Sequence, residues 1–456
     1  MINMKANTIL KSKKSVITII CFVLIFAQSL IQSSTYAQKP LALSEAIDRA
    51  LKSRLDVKIQ QGNAAISANE IAKLKSKNLP QVTSDFDLRV NSQLQTNIIP
   101  SAFFGPSAHG DKAVQFGTAY NTLWGFTLNQ KIYNPADQGD REIAQAQYQY
   151  NQLNVKKAET DVRVDVMQAY FTVLLWSEKD KINKDNEKRT HQIFTTAETQ
   201  SSQGTITPYD AQKAKIDWEN ALAEVHKSQN NFQLAIKDLY YKMGEDSIQT
   251  TQLNDDIPAL YQQYKDLETA KQPDLKRVEL DLEKTQFQIY QLNIHKQNLT
   301  YIPTVTAYAN YTLQDISNSS PFASNAWYPF NYFGLKASIP LFDGLLKERT
   351  KEEYKLRSQV SKSTLDKLTK DYNQDIANAI ATLRNAKEDL DYQEKNRALI
   401  EQLYKIDTDH LKNGTIKPND LATTYYTLQQ TQLNYLNAIY NYLVAVVSYK
   451  KATGIF

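Results

Sequence analysis

The sequence contains little glycine, proline or cysteine. Only 12 glycines and 13 prolines occur in 456 residues, and Cys21 is the single cysteine. Residues that end regular structure are therefore scarce, which favours long helices over a compact fold rich in loops. The apolar content of 42% still provides enough side chains for two or three domains. A formal net charge of +4 is too small to indicate a nucleic-acid partner.

Patterns that would indicate catalysis are also missing. The histidines are scattered without the spacing of metal ligands, at His109, His191, His226, His295 and His410. No glycine-rich loop of the kind that holds phosphate groups is found. The sequence therefore predicts no enzyme, no metal site and no cofactor.

The N-terminus has the three parts of a secretory signal. Several lysines precede the apolar run Val16–Leu30, and Thr35-Tyr36-Ala37 supplies small residues for cleavage. We expect residues 1–37 to be a signal peptide, with an uncleaved anchor as the alternative. Cys21 lies inside the apolar run, so the mature chain would contain no thiol. No later run reaches the ~18 to 20 apolar residues of a membrane-spanning helix, so a membrane would be crossed by strands.

An internal repeat organises the rest of the chain. The heptapeptide GTITPYD at 204–210 recurs as GTIKPND at 414–420, and Trp124–Tyr133 matches Phe333–Phe342. We expect a first repeat at 38–245, a connecting segment at 246–272 and a second repeat at 273–456. Each repeat would contain a helix, a β-hairpin (82–132 or 304–340) and a long helical hairpin with its tip at 204–208 or 414–418.

Residues of the expected strands alternate between apolar and polar. The pattern runs from Val82 to Leu94, and it recurs at 120–128, 305–313 and 333–339. A half-buried sheet in water is one explanation, and strands that cross a bilayer are the other. In lipid every backbone polar group must be paired, and four strands are too few to close a barrel, so several copies would have to share one.

The expected helices show the period of 3.6 residues, for example in the stripe Val162, Val166, Ala169 and Val173. Their predicted bounds are 43–78, 136–203, 208–243, 274–299, 343–412 and 418–449. The longest would measure on the order of 100 Å at 1.5 Å per residue. The fold class is thus mainly α with a membrane β-barrel part: a coiled-coil helical barrel plus four strands per chain, in an internal two-fold repeat.

Four motifs together resemble the TolC-type outer-membrane factors. They are LSEAIDRAL at 43–51, LPQV at 79–82, IPLFDG at 339–344 and the two glycine-threonine-isoleucine turns. The resemblance implies a homotrimer with a shared twelve-stranded barrel in outer-membrane lipid, and a helical tunnel through the periplasm that is closed at its lower end. It also implies a passive channel for efflux or type I secretion, opened by a periplasmic adaptor and an inner-membrane transporter. A structural periplasmic or surface coiled-coil protein without a pore is the alternative.

The resemblance also assigns candidate site residues. The helical tips would dock the adaptor through Gly204, Thr205, Ile206, Gly414, Thr415 and Ile416. Asp420 matches a family position at the closed entrance, where a ring of carboxylates attracts cations. Asp210, at the same position of the first repeat, is a further candidate for the pore gate. Asp420 and Asp210 also suit the start of a helix, which is the simpler explanation. Thr423 stands where a second aspartate is expected, so we expect a weaker cation preference.

Overall fold

The computed structural model describes residues 40–105, 109–248, 250, 252–265, 275–322, 327–413, 415–416 and 418–456. The predicted signal peptide at 1–37 lies outside these ranges, as does Gly414. The structure is 69% helical with a few strands. This confirms the predicted mainly α class, whereas the boundaries predicted for the two repeats and the connecting segment stay predictions.

Long helices follow each pair of longer strands. The helices are α1 (Leu43–Ser53), α2 (Leu55–Ser76), α3 (Pro135–Ser202), α4 (Pro208–Met243), α5 (Ile257–Tyr264), α6 (Val278–Leu299), α7 (Leu346–Lys412) and α8 (Pro418–Thr453). The strands are β1 (Gln81–Val90), β2 (Thr96–Ile99), β3 (Lys112–Gln115), β4 (Tyr120–Tyr133), β5 (Thr304–Ser317) and β6 (Tyr328–Ser338).

Most helix boundaries agree with the predictions to within a few residues, but three details differ. The helix expected at 43–78 is interrupted at Arg54, whose backbone leaves the helical region and whose side chain pairs with Asp56 and Asp165. Strand β1 ends at Val90, so Leu94 lies beyond it. The short hairpin of β2 and β3 and the short helix α5 were not predicted, because neither has a sustained periodic pattern.

The four longer strands form one antiparallel sheet in the order β1-β4-β5-β6. The pairing of β4 with β5 joins strands from the two halves of the chain. This order leaves β1 and β6 at the two edges of the sheet. Helices α2, α3, α6 and α7 all adjoin the same end of the sheet, here called the helical end.

The strand register confirms the predicted alternation. Trp124 lies opposite both Phe86 and Leu313, and Phe126 lies opposite Tyr311. One face, here called the apolar face, is therefore continuous across all four strands. Its main members are Val82, Phe86, Leu88, Val90, Trp124, Phe126, Leu128, Val305, Ala307, Ala309, Tyr311, Leu313, Phe333, Leu335 and Ala337.

The apolar face also carries a buried carboxylate, at the end of the sheet opposite the helices. Asp315 is buried, and its Oδ2 accepts a hydrogen bond of 3.0 Å from the backbone N–H of Phe322. The Phe322 ring in turn stacks on Phe86, with 6.2 Å between ring centroids. The segment after β5 thus covers this end of the apolar face and donates one hydrogen bond to the carboxylate, whereas Asp315 Oδ1 has no partner among the described residues.

The chain forms two compact units. The first contains residues of Met1–Ala50, Val166–Asp266 and Gln393–Leu443, and the second contains residues of Leu51–Asp165, Leu267–Tyr392 and Val444–Phe456. Several side chains of the predicted helical stripe, including Val166 and Val173, are buried as expected. Within the ranges described above, no helix is both long enough and apolar enough to span a membrane.

In the first unit, Tyr170 fixes the N-terminal segment to the segment that follows α4. Leu41 forms a parallel bridge with Leu253, and the Tyr170 hydroxyl lies 2.8 Å from the Leu41 carbonyl oxygen and 2.7 Å from Asp255 Oδ2. Burial raises the pKa of Tyr170, and the nearby Asp255 carboxylate raises it further. The phenol therefore stays protonated and acts as a donor to these acceptors.

In the second unit, the C-terminal end of α8 is fixed by charge and by a glycine. Lys451 Nζ lies 3.0 Å from Asp161, which Lys157 also contacts at 3.1 Å. Burial acts to raise the pKa of Asp161, but hydrogen bonds from Lys451 and Lys157 outweigh it and lower that pKa. Gly454 has a φ of +76°, and a Cβ there would lie 2.4 Å from the Lys276 carbonyl oxygen. Only glycine fits this position.

Replacing Tyr170 by phenylalanine removes only the hydroxyl, so we expect the free energy of unfolding to fall by ~1–3 kcal/mol because buried acceptors lose their donor. Tyr241→Phe is the control, since Tyr241 is exposed on α4. Both variants are compared with the wild type by denaturant unfolding in detergent. Equal midpoints for the two variants would contradict the role given to Tyr170.

Candidate functional site

The two repeat turns, which contain the predicted docking residues, have the same backbone structure where they can be compared. Gly204 has a φ of +72°, and the backbone N–H of Thr205 donates to the Gln200 carbonyl oxygen at 2.9 Å. The Gly204 N–H donates to Ser201, which completes a Schellman motif. In the second turn, Thr415 N–H donates to the His410 carbonyl oxygen at 2.9 Å, as the repeat requires.

The threonine side chain strengthens each turn. Thr205 Oγ1 donates to the Gln200 carbonyl oxygen at 2.8 Å, and Thr415 Oγ1 donates to the His410 carbonyl oxygen at 2.9 Å. Both threonines are exposed, whereas Ile206 and Ile416 are half-buried. Gly414 lies outside the described residues, so the second turn is known through Thr415 and Ile416.

The helix after the first turn begins with a capping box. Thr207 Oγ1 accepts from the Asp210 N–H at 3.2 Å, and Asp210 Oδ2 accepts from the Thr207 N–H at 3.4 Å. The Asp210 carboxylate is therefore used to start α4, which is the simpler of its two explanations. The matching position of the second repeat is Lys417, and a lysine ammonium group has no acceptor for a backbone N–H. The same box cannot form there.

Asp420 lies in the first turn of α8, and both Asp420 and Thr423 are exposed. One turn further along, Thr424 Oγ1 donates to Asp407 Oδ2 at 2.6 Å and thereby connects α8 to α7. Of the residues predicted for the pore gate, Asp420 and Thr423 therefore lie beside a polar contact that closes the second helical hairpin, whereas Asp210 lies in the first hairpin.

The first hairpin is closed by aromatic side chains. Trp218 of α4 stacks on Phe194 of α3, with 5.4 Å between ring centroids, and His191 lies 4.8 Å away. Trp218 Nε1 donates to Glu187 Oε1 at 2.8 Å. In the second repeat, Leu428 stands at the position that corresponds to Trp218, and Tyr404 stands at the position that corresponds to Phe194. The second hairpin therefore lacks this cluster.

A cation between two tyrosines joins the two hairpins. Arg189 of α3 donates a hydrogen bond to the Tyr404 hydroxyl of α7, and its guanidinium carbon lies 3.4 Å from the ring centroid of Tyr425 on α8. Burial raises the pKa of the Tyr425 phenol, which keeps it neutral. We call Arg189, Tyr404 and Tyr425 the inter-hairpin clamp. No pattern in the sequence reveals it, because its three members come from three helices.

Across the part of the chain that the structure describes, no group of three or more histidine, cysteine, aspartate or glutamate side chains could hold a metal ion.

A comparison with protein-family models finds a match to the outer membrane efflux protein family. It covers residues 46–245 and 266–455, which is most of the chain in two segments. The chain belongs to the outer membrane efflux protein family. This outer membrane efflux protein is located in the outer membrane, as its family indicates, and the two matched segments confirm the internal repeat predicted from the sequence.

Solved structures of outer membrane channels share this fold at low sequence identity. CusC is similar with a TM-score of 0.70 and 14% identity, covering 90% of this chain and 91% of that chain. The CmeC outer membrane channel of Campylobacter jejuni gives 0.69 and 13%, covering 90% and 85%. The open state of the Neisseria gonorrhoeae MtrE outer membrane channel gives 0.69 and 14%, covering 90% and 88%. A comparison with curated proteins found no match.

Removing the clamp should loosen both hairpins near their turns. Arg189→Ala deletes a cation–π contact of ~1–2 kcal/mol, so we expect amide exchange near 200–210 and 405–425 to speed up about 5- to 30-fold. Hydrogen–deuterium exchange with mass spectrometry measures this. Lys188→Ala removes an exposed cation from the same helix and should leave exchange unchanged. Identical exchange in the two variants would show that the clamp does not hold the hairpins together.

Proposed function

We propose that this outer membrane efflux protein is a passive export channel of a tripartite system. It would span the outer membrane, extend into the periplasm, and be opened by a periplasmic adaptor and an inner-membrane transporter. One observation carries the proposal: the apolar face of the sheet is exposed over most of its area.

The exposure of this face favours one of the two explanations that the sequence leaves open. In a half-buried sheet in water, the apolar face would be covered by other parts of the protein. Here the large side chains in the middle of each strand are exposed instead. They are Val82, Phe86, Leu88, Trp124, Phe126, Leu128, Tyr311, Phe333 and Leu335. Contact with lipid would cover them, so this face supports membrane insertion and disfavours a structural coiled-coil protein.

The opposite face is polar and internally hydrogen-bonded. Asn310 Nδ2 donates to Thr127 Oγ1 at 3.0 Å, and Thr312 Oγ1 donates to Asn310 Oδ1 at 2.7 Å. Cross-strand polar pairs of this kind suit a water-filled lumen. The polar face therefore supports a channel interior lined by amides and hydroxyls together with charged side chains, which are Asp85, Asp87, Arg89 and Lys336.

The edge strands β1 and β6 support assembly with further copies. In lipid the outward-pointing backbone groups of both strands need partners, and a second copy can supply them. Three copies would give the twelve-stranded barrel implied by the family resemblance. On α7, the apolar side chains of Leu399, Leu403 and Ile406 form an exposed stripe at the spacing of a coiled coil, which supports helix contacts between copies as well.

The two turns would be the docking surface for the adaptor. Thr205 and Thr415 are exposed, and each threonine donates two hydrogen bonds to the preceding helix. Such fixed, repeated surfaces suit a partner that recognises both hairpins. Opening would then require the second hairpin to move away from the first, with release of the inter-hairpin clamp.

Asp420 is the better candidate for the gate of the two repeat-related aspartates. The family resemblance places Asp420, and not Asp210, at the closed entrance, and Asp420 is exposed. Three copies would place three Asp420 carboxylates near the entrance and favour cations.

Both drug-like solutes and secreted polypeptides fit a passive channel of this type, so efflux and type I secretion are both compatible with the proposal.

The channel itself is tested by reconstitution into planar bilayers. Purified protein should give stepwise conductance, and Arg189→Ala should raise the conductance or open probability because the closed hairpins are less firmly held. Lys188→Ala should behave as the wild type. Folded, membrane-inserted protein that gives no conductance in any variant would favour the structural alternative.

The gate is tested by ion selectivity in the same recordings. Asp420→Asn should reduce the preference for cations, and Thr423→Asp should increase it by adding a second ring of carboxylates. Asp210→Asn is the matched control, since it makes the same change at the repeat-related position and should leave selectivity unaltered. Equal reversal potentials for wild type and Asp420→Asn would remove Asp420 from the gate.

A further inference from the structure

Two buried polar side chains lie opposite each other on the apolar face of the sheet. Asp315 of β5 is 1% exposed, and Thr122 of β4 is 0% exposed. The strand register makes them direct partners, which brings their Cβ atoms to about 4.5–5.5 Å from each other. In the part of the chain that the structure describes, neither Asp315 Oδ1 nor Thr122 Oγ1 has a hydrogen-bond partner. Buried polar atoms are almost always paired, so two such oxygens on facing residues point to a ligand that they share.

The surroundings of these two oxygens are apolar. Leu88 of β1 lies across from the threonine on its other side. The Phe322 ring stacks on Phe86 and also contacts Trp327, with 6.2 Å between ring centroids in each pair. Among the described residues, no lysine, arginine or histidine forms an ion pair with Asp315. The carboxylate is therefore buried next to apolar side chains without a neutralising charge from these residues.

The other polar atoms next to this pair already have partners. Asp315 Oδ2 accepts a hydrogen bond from the Phe322 N–H at 3.0 Å. Ser317 lies on the same face two residues further along β5, and its Oγ accepts from the Ser319 N–H at 3.2 Å. The unpaired atoms are thus one carboxylate oxygen and the hydroxyl oxygen that faces it.

A proton or a water molecule would leave one requirement unmet. A proton on Asp315 Oδ1 needs an acceptor, but this oxygen and Thr122 Oγ1 form no hydrogen bond with each other. A water molecule could bridge the two oxygens, but the negative charge would stay buried among apolar side chains, which is costly. A metal cation accepts electron pairs from both oxygens and also neutralises the carboxylate.

We propose that Asp315 and Thr122 bind a monovalent metal cation between β4 and β5. Asp315 Oδ1 and Thr122 Oγ1 are its ligands, and oxygen ligands suit Na⁺. One carboxylate balances one positive charge, so a monovalent ion leaves the site neutral in its apolar surroundings. A divalent ion would leave one positive charge uncompensated, and Ca²⁺ normally takes more oxygen ligands.

The cation joins the two halves of the chain at the end of the sheet away from the helical end. Strand β4 belongs to the first half and β5 to the second, and the segment after β5 bonds to the same carboxylate through Phe322. Loss of the ion should therefore loosen both strand ends and this segment together. The site needs only the fold of one chain, so it does not depend on the proposed channel function.

Hydrogen–deuterium exchange in salts of equal ionic strength tests the site. The purified protein in detergent is measured in choline chloride, and again with Na⁺, K⁺, Ca²⁺ or Mg²⁺ in place of choline. Asp315→Asn removes the charge and Thr122→Val removes the hydroxyl, each with little change of shape. Asp111→Asn is the control, because it makes the same change at an exposed aspartate outside the strands.

Na⁺ or K⁺ at ~10 times its dissociation constant should slow amide exchange of 120–123 and 316–322 about 10-fold in the wild type and in Asp111→Asn. Both site variants should lose this protection. If Asp315→Asn does not fold, Thr122→Val decides, since it keeps the carboxylate.

Equal exchange of the wild type in every salt would overturn the proposal, because a proton or a water molecule would then suffice. Protection by Ca²⁺ or Mg²⁺ but not by Na⁺ or K⁺ would overturn the monovalent ion. Protection that persists in the site variants would also overturn the proposal, because the cation would then bind elsewhere.

Discussion

The structure depends on one constraint: the backbone N–H and C=O groups of the sheet need partners, and the apolar face of the same sheet is exposed. Four strands present one face of large apolar side chains and one of hydrogen-bonded polar ones, and the order β1-β4-β5-β6 ends in two edges. Water is a poor environment for the apolar face, and lipid is a poor environment for the unpaired backbone groups of the two edge strands. A membrane would satisfy the face and neighbouring copies would satisfy the edges, so the two requirements together support the proposed assembly into a channel.

The two repeats share a backbone but differ in how their helices are held. Both turns use a threonine after glycine to bond back to the preceding helix. The first hairpin adds the Trp218 cluster and the Thr207–Asp210 box, whereas the second has the Asp407–Thr424 contact and receives Arg189 from its neighbour. Each hairpin thus has contacts of its own, which in the second include the Tyr404–Tyr425 ring pair, and the inter-hairpin clamp holds the two hairpins together.

Much of the fold could be predicted from the sequence, because strand faces and helix ends depend on residues that are close together in the chain. Period-two alternation placed Phe86, Trp124 and Leu313 on one face because strand geometry fixes the side of each residue. Glycine and proline bounded the helical hairpins for similar local reasons. The break at Arg54, the clamp around Arg189 and the burial of Asp315 could not be predicted, because each depends on residues that are distant in sequence or on what lies outside the chain. The roles of the turn residues and of Asp420 remain proposals for the same reason, since they concern partners and further copies.

Cysteine cross-linking in outer membranes tests most directly whether the edge strand β1 of one copy lies beside the edge strand β6 of the next copy. One cysteine replaces Asp85 on β1, and a second replaces Tyr332, Gly334 or Lys336 on β6, all on the polar face. At least one pair should form disulfides between copies, giving a ladder that ends at the trimer. No product between copies from any pair, in protein that is folded and in the outer membrane, would contradict it.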